Sequence, residues 1–434
     1  MTPQSAFMVA APILPGRMEP LRSLLRGMVL RPGIADPDNA VLPFGRCERL
    51  HVARLLILED RTLADLALHD GSSFPDAPVY LALLGDCDGS DATQLAEFAT
   101  LAAPGLRRLF AHCAGFDDGV DLLAYMQAHV VRPAAQYVNW VGRTVRQVRE
   151  EAALHAALRG WLDDNAALSD APDPVALHGQ LRRFVETECQ AGRLALTDPE
   201  PTPRGWRIRQ VTHAVGVPLL LLAVAPVLVL GAPFFLWALR RHEGRDPVIA
   251  PRPDAEHLNA LARIEDHDVS NQFSAFGSVK PGLFRGMTLR GLLWVLNYTT
   301  RHLYTRGRLS RVGTIHFARW AYLDGGRRLF FASNYDGSLE SYMDDFINKV
   351  AWGLNLVFSN GIGYPRTRFL ILGGAKDEQG FKRYIRRHQL PTEVWYKAYP
   401  DLTTTDLDRN TRLRAGLRRS ALTASEARQW LSWI

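Results

Sequence analysis

The segment His316-Phe-Ala-Arg319-Trp-Ala-Tyr-Leu323 follows the same pattern as the earlier segment His51-Val-Ala-Arg54-Leu-Leu-Ile-Leu58. After each of them comes a second match, Asp88-Gly-Ser90 in the first copy and Asp336-Gly-Ser338 in the second, 248 residues apart (336 minus 88). Five such matches occur in the same order. The sequence therefore indicates a duplicated domain, because solenoid repeats have much shorter periods of ~20–50 residues.

The second copy is easier to interpret than the first. Apolar residues at helical spacing alternate with short segments rich in aromatic and branched residues. The order is β-α-β-β-α-β, which is the ferredoxin-like pattern with two helices on one face of an antiparallel sheet. The predicted elements are strand Asn271–Ser278, helix Thr288–Tyr304, strands Thr314–Leu323 and Leu329–Ser333, helix Leu339–Val357, and strands Arg368–Leu372 and Glu393–Tyr399.

The free face of such a sheet has to be buried, and a second copy of the sheet would cover it. We therefore predict an α+β fold in which two tandem ferredoxin-like repeats pack as an α+β barrel with a cavity between the sheets. The predicted domains are a first repeat (1–118), a helical insert (119–197), a linker with a membrane segment (198–250), a second repeat (265–400) and a C-terminal tail with a short helix (401–434).

The 25 residues from Val215 to Leu239 carry no charge and are long enough to cross a bilayer as one helix. A single span would separate the two repeats, unless each paired with a repeat of another molecule in a homo-oligomer. A hairpin bent near Pro226 would keep them together. Arginines on both sides favour the hairpin, with both ends cytoplasmic. We expect a monotopic protein in contact with the lipid bilayer, with a single span as the alternative.

Composition narrows the possible partners and the compartment. The chain has 434 residues, a net charge of +6 and a pI near 9.2, and beside an apolar segment this charge favours anionic lipid over nucleic acid. The four cysteines have no CxxC spacing, which argues against zinc and fits a reducing cytoplasm. Phosphate-binding loops, dinucleotide-binding fingerprints, and hydrolase and zincin motifs are missing from the sequence.

His51 and Arg54, like His316 and Arg319, occupy matching places in the second strand of each copy. Because side chains alternate along a strand, His and Arg should lie on opposite faces. If the histidines face the cavity, their imidazoles could bind a metal or haem, or move protons. The simpler interpretation is that each histidine hydrogen-bonds a neighbour and each arginine pairs with a carboxylate.

Asp88 and Asp336 each follow a strand and precede a helix, in the sequence Asp-Gly-Ser. The simpler interpretation is a glycine turn, with the Asp or the Ser capping the next helix. The functional interpretation places these aspartates at the mouth of the cavity as general acids or bases. Asn334 adds a polar group to the same loop of the second copy.

Tandem ferredoxin-like repeats in an α+β barrel resemble the superfamily of dye-decolorizing peroxidases and chlorite dismutases. The peroxidases carry a G-x-x-D-G motif, which Gly85-Asp-Cys-Asp88-Gly89 matches, whereas the second copy has Ser333 in place of the first glycine. The resemblance implies haem, with His316 or His51 as candidate ligands and Asp88 assisting peroxide cleavage. The second half, with TIHFARW, SNYDGS and WYKAYPDL, also resembles an uncharacterised group of bacterial proteins.

Two functions follow as hypotheses. The first is a membrane-associated, peroxidase-like oxidoreductase that acts on a lipophilic small molecule at the cytoplasmic face of a bacterial inner membrane. In it, Asp88 or Asp336 would be the acid or base, and Arg54 or Arg319 would stabilise negative charge. The second is a non-catalytic, membrane-anchored binding or scaffold protein for a lipid-like ligand.

Overall fold

Two four-stranded antiparallel sheets lie face to face at the centre of the computed structural model, which describes residues 1–165, 173–307, 309, 312–419 and 421–434. Part of the predicted helical insert, residues 166–172, lies outside these ranges. The strands are β1 (Gln4–Pro12), β2 (Val29–Arg31), β3 (Ile34–Ala35), β4 (Leu50–Leu58), β5 (Tyr80–Asp88), β6 (Pro133–Val138), β7 (Ser270–Ser278), β8 (Ile315–Leu323), β9 (Arg328–Asp336), β10 (Thr367–Arg368), β11 (Leu372–Gly373) and β12 (Thr392–Lys397).

Helices cover the outer faces of both sheets. They are α1 (Met18–Arg26), α2 (Ala64–Asp70), α3 (Asp91–Leu101), α4 (Ala103–Phe110), α5 (Leu122–Ala128), α6 (Val145–Asp164), α7 (Pro174–Gln190), α8 (Arg204–Arg245), α9 (Ala255–Ala262), α10 (Leu283–His302), α11 (Leu339–Phe358), α12 (Glu378–His388), α13 (Thr404–Leu417) and α14 (Ala424–Leu431). Side chains of α1, α3, α4 and α5 pack on the first sheet, and those of α10, α11 and α12 pack on the second. The mixed α+β class predicted from the sequence is confirmed.

The two repeats exchange their last strands. The sheet orders are β1-β5-β4-β12 and β6-β8-β9-β7, so β6 of the first half pairs with β8 of the second, and β12 of the second half pairs with β4 of the first. The segment expected to be a helical insert therefore supplies a strand of the second sheet. Contacts between repeats hold this strand in place, and local sequence patterns do not report such contacts.

Single backbone bridges link the two sheets where the exchanged strands cross over. Val131 donates to Met8 O at 2.9 Å, and Leu390 donates to Ser274 O at 2.8 Å. Among the described residues, however, neither sheet closes into a barrel. The predicted α+β barrel is wrong in this respect, because each exchanged strand forms its long ladder with the other repeat.

Apolar side chains fill the space between the two sheets, so the predicted cavity is replaced by a packed core. Met8, Leu84, Phe276 and Phe330 are at most 2% exposed and belong to one cluster built from both sheets. Dense packing of this kind gives most of the stabilisation available from burying apolar area. The sheet interface is thus a core, and the open spaces of the molecule lie elsewhere.

The duplication continues beyond the segments recognised in the sequence. Helices α6 and α13 follow the exchanged strands, begin with capping boxes at Thr144 and Thr403, and pack on each other. The side chains of His129 and His388, which are 259 residues apart (388 minus 129), contact the backbone oxygens of Tyr125 and Tyr384 at 2.9 and 2.8 Å. This separation is 11 residues longer than the 248 residues between Asp88 and Asp336, so the second repeat contains an insertion after Asp336. The β10–β11 hairpin lies in this part of the second repeat.

The apolar segment lies within one continuous helix, α8, with Pro218, Pro226 and Pro233 inside it. The predicted hairpin bent near Pro226 is therefore wrong. A proline removes one backbone donor and kinks a helix, but apolar helices of this kind tolerate it. Among the described residues, α8 is the one helix long and apolar enough to cross a membrane, with a mean hydropathy of 2.6 over its most apolar part.

Both ends of α8 are attached to the same globular body. Near its start, His213 Nδ1 contacts His302 Nε2 at 2.8 Å, and near its end His242 stacks on Phe284 with ring centres 4.8 Å apart. His302 and Phe284 are at opposite ends of α10, so α8 runs antiparallel along that helix. At 1.5 Å per residue, α8 is roughly 63 Å long. Its two ends therefore lie against the second repeat, while the apolar part between them is exposed.

Candidate functional site

Two buried histidine–aspartate pairs occupy equivalent positions in the two repeats. His51 Nε2 lies 2.9 Å from Asp88 Oδ1, and His316 Nε2 lies 2.6 Å from Asp336 Oδ1. His51 Nδ1 also contacts the hydroxyl of Tyr399 at 2.8 Å. The structure therefore places the predicted histidine and aspartate of each repeat in direct contact.

The second oxygen of each carboxylate binds the start of a helix. Asp88 Oδ2 accepts a hydrogen bond from the backbone N–H of Val145 at 2.8 Å, and Asp336 Oδ2 accepts one from the backbone N–H of Thr404 at 2.7 Å. Val145 and Thr404 begin α6 and α13, whose first N–H groups have no partner within the helix. Each aspartate joins the end of a strand to a helix distant in sequence, which is a structural role.

The neighbouring residues behave as the simpler interpretation predicts. Ser90 and Ser338 cap α3 and α11 by accepting hydrogen bonds from backbone N–H groups. Gly89 and Gly337 have φ angles of 86° and 82°, which glycine adopts at little cost. The Asp-Gly-Ser segments are therefore turns and helix caps in both repeats.

Two β-bulges determine the direction of the histidine side chains. The pairing of β4 with β5 shifts at His51, and the pairing of β8 with β9 shifts at His316. A bulge adds one residue to one strand and interrupts the alternation of side chains. The prediction that His and Arg lie on opposite faces is therefore wrong: both reach the side of the sheet that faces the other repeat.

Arg54 crosses from the first repeat into the second. Its Nη1 donates to Phe273 O at 2.9 Å and to Ser274 Oγ at 2.8 Å, and its Nη2 contacts Asn334 Oδ1. The guanidinium lies 4.9 Å from the ring centre of Trp395. The predicted residues Arg54 and Asn334 are thus partners across the interface.

Arg319 makes the reciprocal crossing. Its Nη1 donates to Phe7 O at 2.8 Å, and its Nη2 forms an ion pair with Asp86. Phe7 and Phe273 occupy matching places in the repeats, as do Asp86 and Asn334. The two arginines therefore lock the sheets together around an approximate twofold axis.

The two arginines differ in their partners, since Arg319 pairs with the carboxylate of Asp86 and Arg54 donates to neutral acceptors. Burial lowers the pKa of Arg54, and the positive charge of Arg319 lowers it further. Burial raises the pKa of Asp86, against the effect of Arg319 and other nearby cations. The ion pair with Arg319 is therefore the main compensation for burying Asp86.

The space beside the histidines is too small for haem. His51 and His316 line a common cavity of about 20 Å³, together with Phe317 and Tyr399. Such a volume holds about one water molecule, whereas cofactor pockets measure roughly 300–1,000 Å³. In addition, the Nε2 atom of His316 is hydrogen-bonded to Asp336 Oδ1 and is therefore occupied. These residues do not fit a haem group.

The Gly85-x-x-Asp88-Gly89 segment has a packing explanation here. A Cβ on Gly85 would lie 2.2 Å from the backbone oxygen of Val52 and 2.6 Å from the ring of Phe7. Only glycine fits at this position, because any side chain would clash with β4 and with Phe7, and this explanation does not involve peroxide chemistry. In the second repeat, Ser333 occupies this place and its hydroxyl contacts Tyr342.

Three residues that contact the predicted side chains were not predicted from the sequence: Asp86, Trp395 and Tyr399. Asp86 could have been found because it precedes Asp88 as Asn334 precedes Asp336. Trp395 and Tyr399 lie in or just beyond the exchanged strand β12, so their approach to the first repeat depended on a strand exchange that no local pattern reveals.

Exposed apolar side chains concentrate on the outer layer of the second repeat. On α8, Leu230 and Phe234 are each 75% exposed, and on α10 Leu283 is 76% and Met287 60% exposed. A contiguous exposed apolar patch marks a site of contact with a membrane, another protein or a ligand. This patch is the most distinctive surface feature of the described residues.

Two open clefts lie at opposite ends of α10. One, of about 670 Å³, is lined by the first turns of α8 and the last turns of α10, including Trp206 and Arg301. The other, of about 440 Å³, lies at the start of α10 and includes Lys280 and Arg290. The first cleft takes Trp206 and Gln210 from the part of α8 that also exposes Ile208 and Val211, and the second cleft includes the exposed Leu283. Among the described residues, neither lining contains an acidic side chain.

The β10–β11 hairpin holds the C-terminal end of α8. The carboxylate of Glu243 in α8 accepts hydrogen bonds from the backbone N–H groups of Phe369 and Leu370 at 2.9 and 2.8 Å. Phe369, with a φ of 54°, is 37% exposed, and Ile371 is 42% exposed. The hairpin thereby extends the apolar patch beyond the helix.

Comparisons of this chain with protein-family models, with curated proteins and with solved structures found no match.

Proposed function

We propose that this protein is a membrane-docked binding or scaffold protein for a lipid-like ligand, and that α8 lies in the plane of the bilayer surface. The observation that carries the proposal is the attachment of both ends of α8 to one body, with its apolar side chains exposed between them. A helix held in this way cannot cross a bilayer unless α10 enters the bilayer with it.

The surroundings of α8 support contact with lipid. Near its C-terminal end the helix packs on α10 through pairs such as Phe235 and Phe284, whose ring centres are 5.4 Å apart. Between its two attached ends, the consecutive residues 219–222 and 227–230 are all exposed, so the helix is open on every side there. A helix that is apolar all round needs an apolar phase on every side, and lipid would supply it along this part. The cytoplasmic face of a bacterial inner membrane is the location we infer, because arginines flank both ends.

Flotation of the full chain with phosphatidylcholine vesicles tests the proposal. We expect the protein to float, and we expect Leu222→Glu/Leu230→Glu to reduce partitioning by more than about a hundredfold, because charges at lipid-facing positions are costly. Leu30→Glu, on a similarly exposed leucine of the first repeat (68% against 72% for Leu222), should leave flotation unchanged. Failure of the unmodified protein to float, or an equal loss in the control, would refute membrane docking.

Labelling with an impermeant maleimide separates the flat orientation from a single span. In a Cys189→Ser background, single cysteines at Val211 and Arg245 should both react from outside intact vesicles. If only one of them is labelled until the vesicles are opened, then α8 crosses the bilayer. Cys47, Cys87 and Cys113 are buried and provide the unreactive background.

A further inference from the structure

We propose that the cleft of about 670 Å³ at the start of α8 binds the phosphoryl headgroup of an anionic lipid, whose acyl chains lie along the apolar patch. This inference rests on the proposed membrane docking and adds to it the class of ligand. The shared chemistry is a phosphoryl anion, and the source to which we commit is a membrane lipid.

The charge of the cleft favours an anion. Arg301 and Arg306 line it, its lining contains no carboxylate, and among the described residues no carboxylate lies within 4 Å of either guanidinium. Burial lowers the pKa of Arg301, and neighbouring Arg209 lowers it further. A partly desolvated guanidinium without a counter-ion gains most from a bidentate phosphate or carboxylate.

The lining also has a donor with no partner. Gln136 Nε2 is buried and makes no hydrogen bond within the described part of the chain. Gln210, Asn297 and Thr300 place further amide and hydroxyl groups in the same lining.

The position of the cleft selects a lipid over a soluble anion. Trp206 lines the cleft, and the uncharged segment of α8 begins nine residues later at Val215. Trp140 also lines the cleft, and the guanidiniums of Arg143 and Arg306 lie 4.1 and 5.7 Å from its ring centre. Tryptophan and arginine beside an apolar segment are typical of the headgroup level of a bilayer.

The test compares flotation of the full chain with vesicles of phosphatidylcholine alone and with vesicles that also contain phosphatidylglycerol. We expect tighter binding to the mixed vesicles, and we expect Arg301→Gln/Arg306→Gln to reduce that preference roughly 5- to 30-fold while binding to neutral vesicles is retained. Arg301→Lys/Arg306→Lys keeps the charge but loses the planar fork, and should recover only part of the preference.

Two controls keep the result interpretable. Arg26→Gln/Arg46→Gln removes two exposed arginines from the first repeat, so an equal loss of preference there would show diffuse charge attraction and overturn the cleft. Thermal stabilisation by inorganic phosphate alone, lost in Arg301→Gln/Arg306→Gln, would overturn the choice of a lipid source. Flotation with neutral vesicles but without any preference for phosphatidylglycerol refutes the cleft and leaves docking intact, whereas no flotation at all refutes docking itself.

Discussion

The outer helices of the two repeats occupy equivalent places on equivalent sheets, yet they present opposite surfaces. In the first repeat, α1 exposes Glu19, Ser23 and Arg26 to solvent. In the second repeat, α10 exposes Leu283 and Met287 and carries α8 along its side. The duplicated core thus sets the scaffold, while residues on its outer face decide whether that face is compatible with water or with lipid.

At the interface between the two sheets, the repeats also share their geometry but differ in the charge of one side chain. Both arginines cross to the other repeat, but Arg319 meets a carboxylate, Asp86, and Arg54 meets neutral acceptors, including Asn334. The approximate twofold symmetry is kept in geometry and broken in charge. Substitutions of the two arginines can therefore measure how much the stability of the fold depends on the ion pair of Arg319 and on the neutral contacts of Arg54.

The largest difference is expected between Arg319→Ala and Arg54→Ala. Loss of Arg319 leaves Asp86 buried without its ion-pair partner, which costs about 3–5 kcal/mol. Loss of Arg54 leaves neutral acceptors unpaired, which costs about 1–3 kcal/mol. Urea unfolding of both variants gives the two values, and a larger loss for Arg54→Ala would contradict the assigned partners.

A second comparison exchanges the residues at the start of the peroxidase-like motif. Gly85→Ser forces a Cβ against the backbone oxygen of Val52 and should destabilise the fold by about 3 kcal/mol. Ser333→Gly removes the contact with the Tyr342 hydroxyl and should cost about 1 kcal/mol. Thermal unfolding compares the two variants, and equal losses would show that the packing at Gly85 is not the reason for glycine.

The smallest expected effect concerns the peroxidase hypothesis. Because the cavity beside His51 and His316 measures about 20 Å³, added haemin should give no Soret band that depends on either histidine. Visible absorption spectra of the unmodified protein and of His316→Ala are the measurement. A Soret band that disappears in His316→Ala would contradict the packing described here and restore the oxidoreductase hypothesis.

Much of the local structure could be predicted from the sequence. The helical or extended spacing of apolar residues predicts helices α10 and α11 and strands β7, β8 and β9. The Asp-Gly-Ser pattern does not by itself indicate catalysis by Asp88 and Asp336, because the same pattern suits a turn followed by a helix cap. The partners of these aspartates on α6 and α13 could not be predicted, because they lie 57 and 68 residues further along the chain.

Duplication, strand and helix types and the presence of a long apolar segment were all readable in the chain, because each depends on spacing between neighbours or on matching of two copies. The exchange of β6 and β12, the bulges that turn His51 and His316, and the anchoring of α8 at both ends arose only in the folded molecule. Each of these depends on contacts between residues far apart in sequence, whose energies no local pattern records.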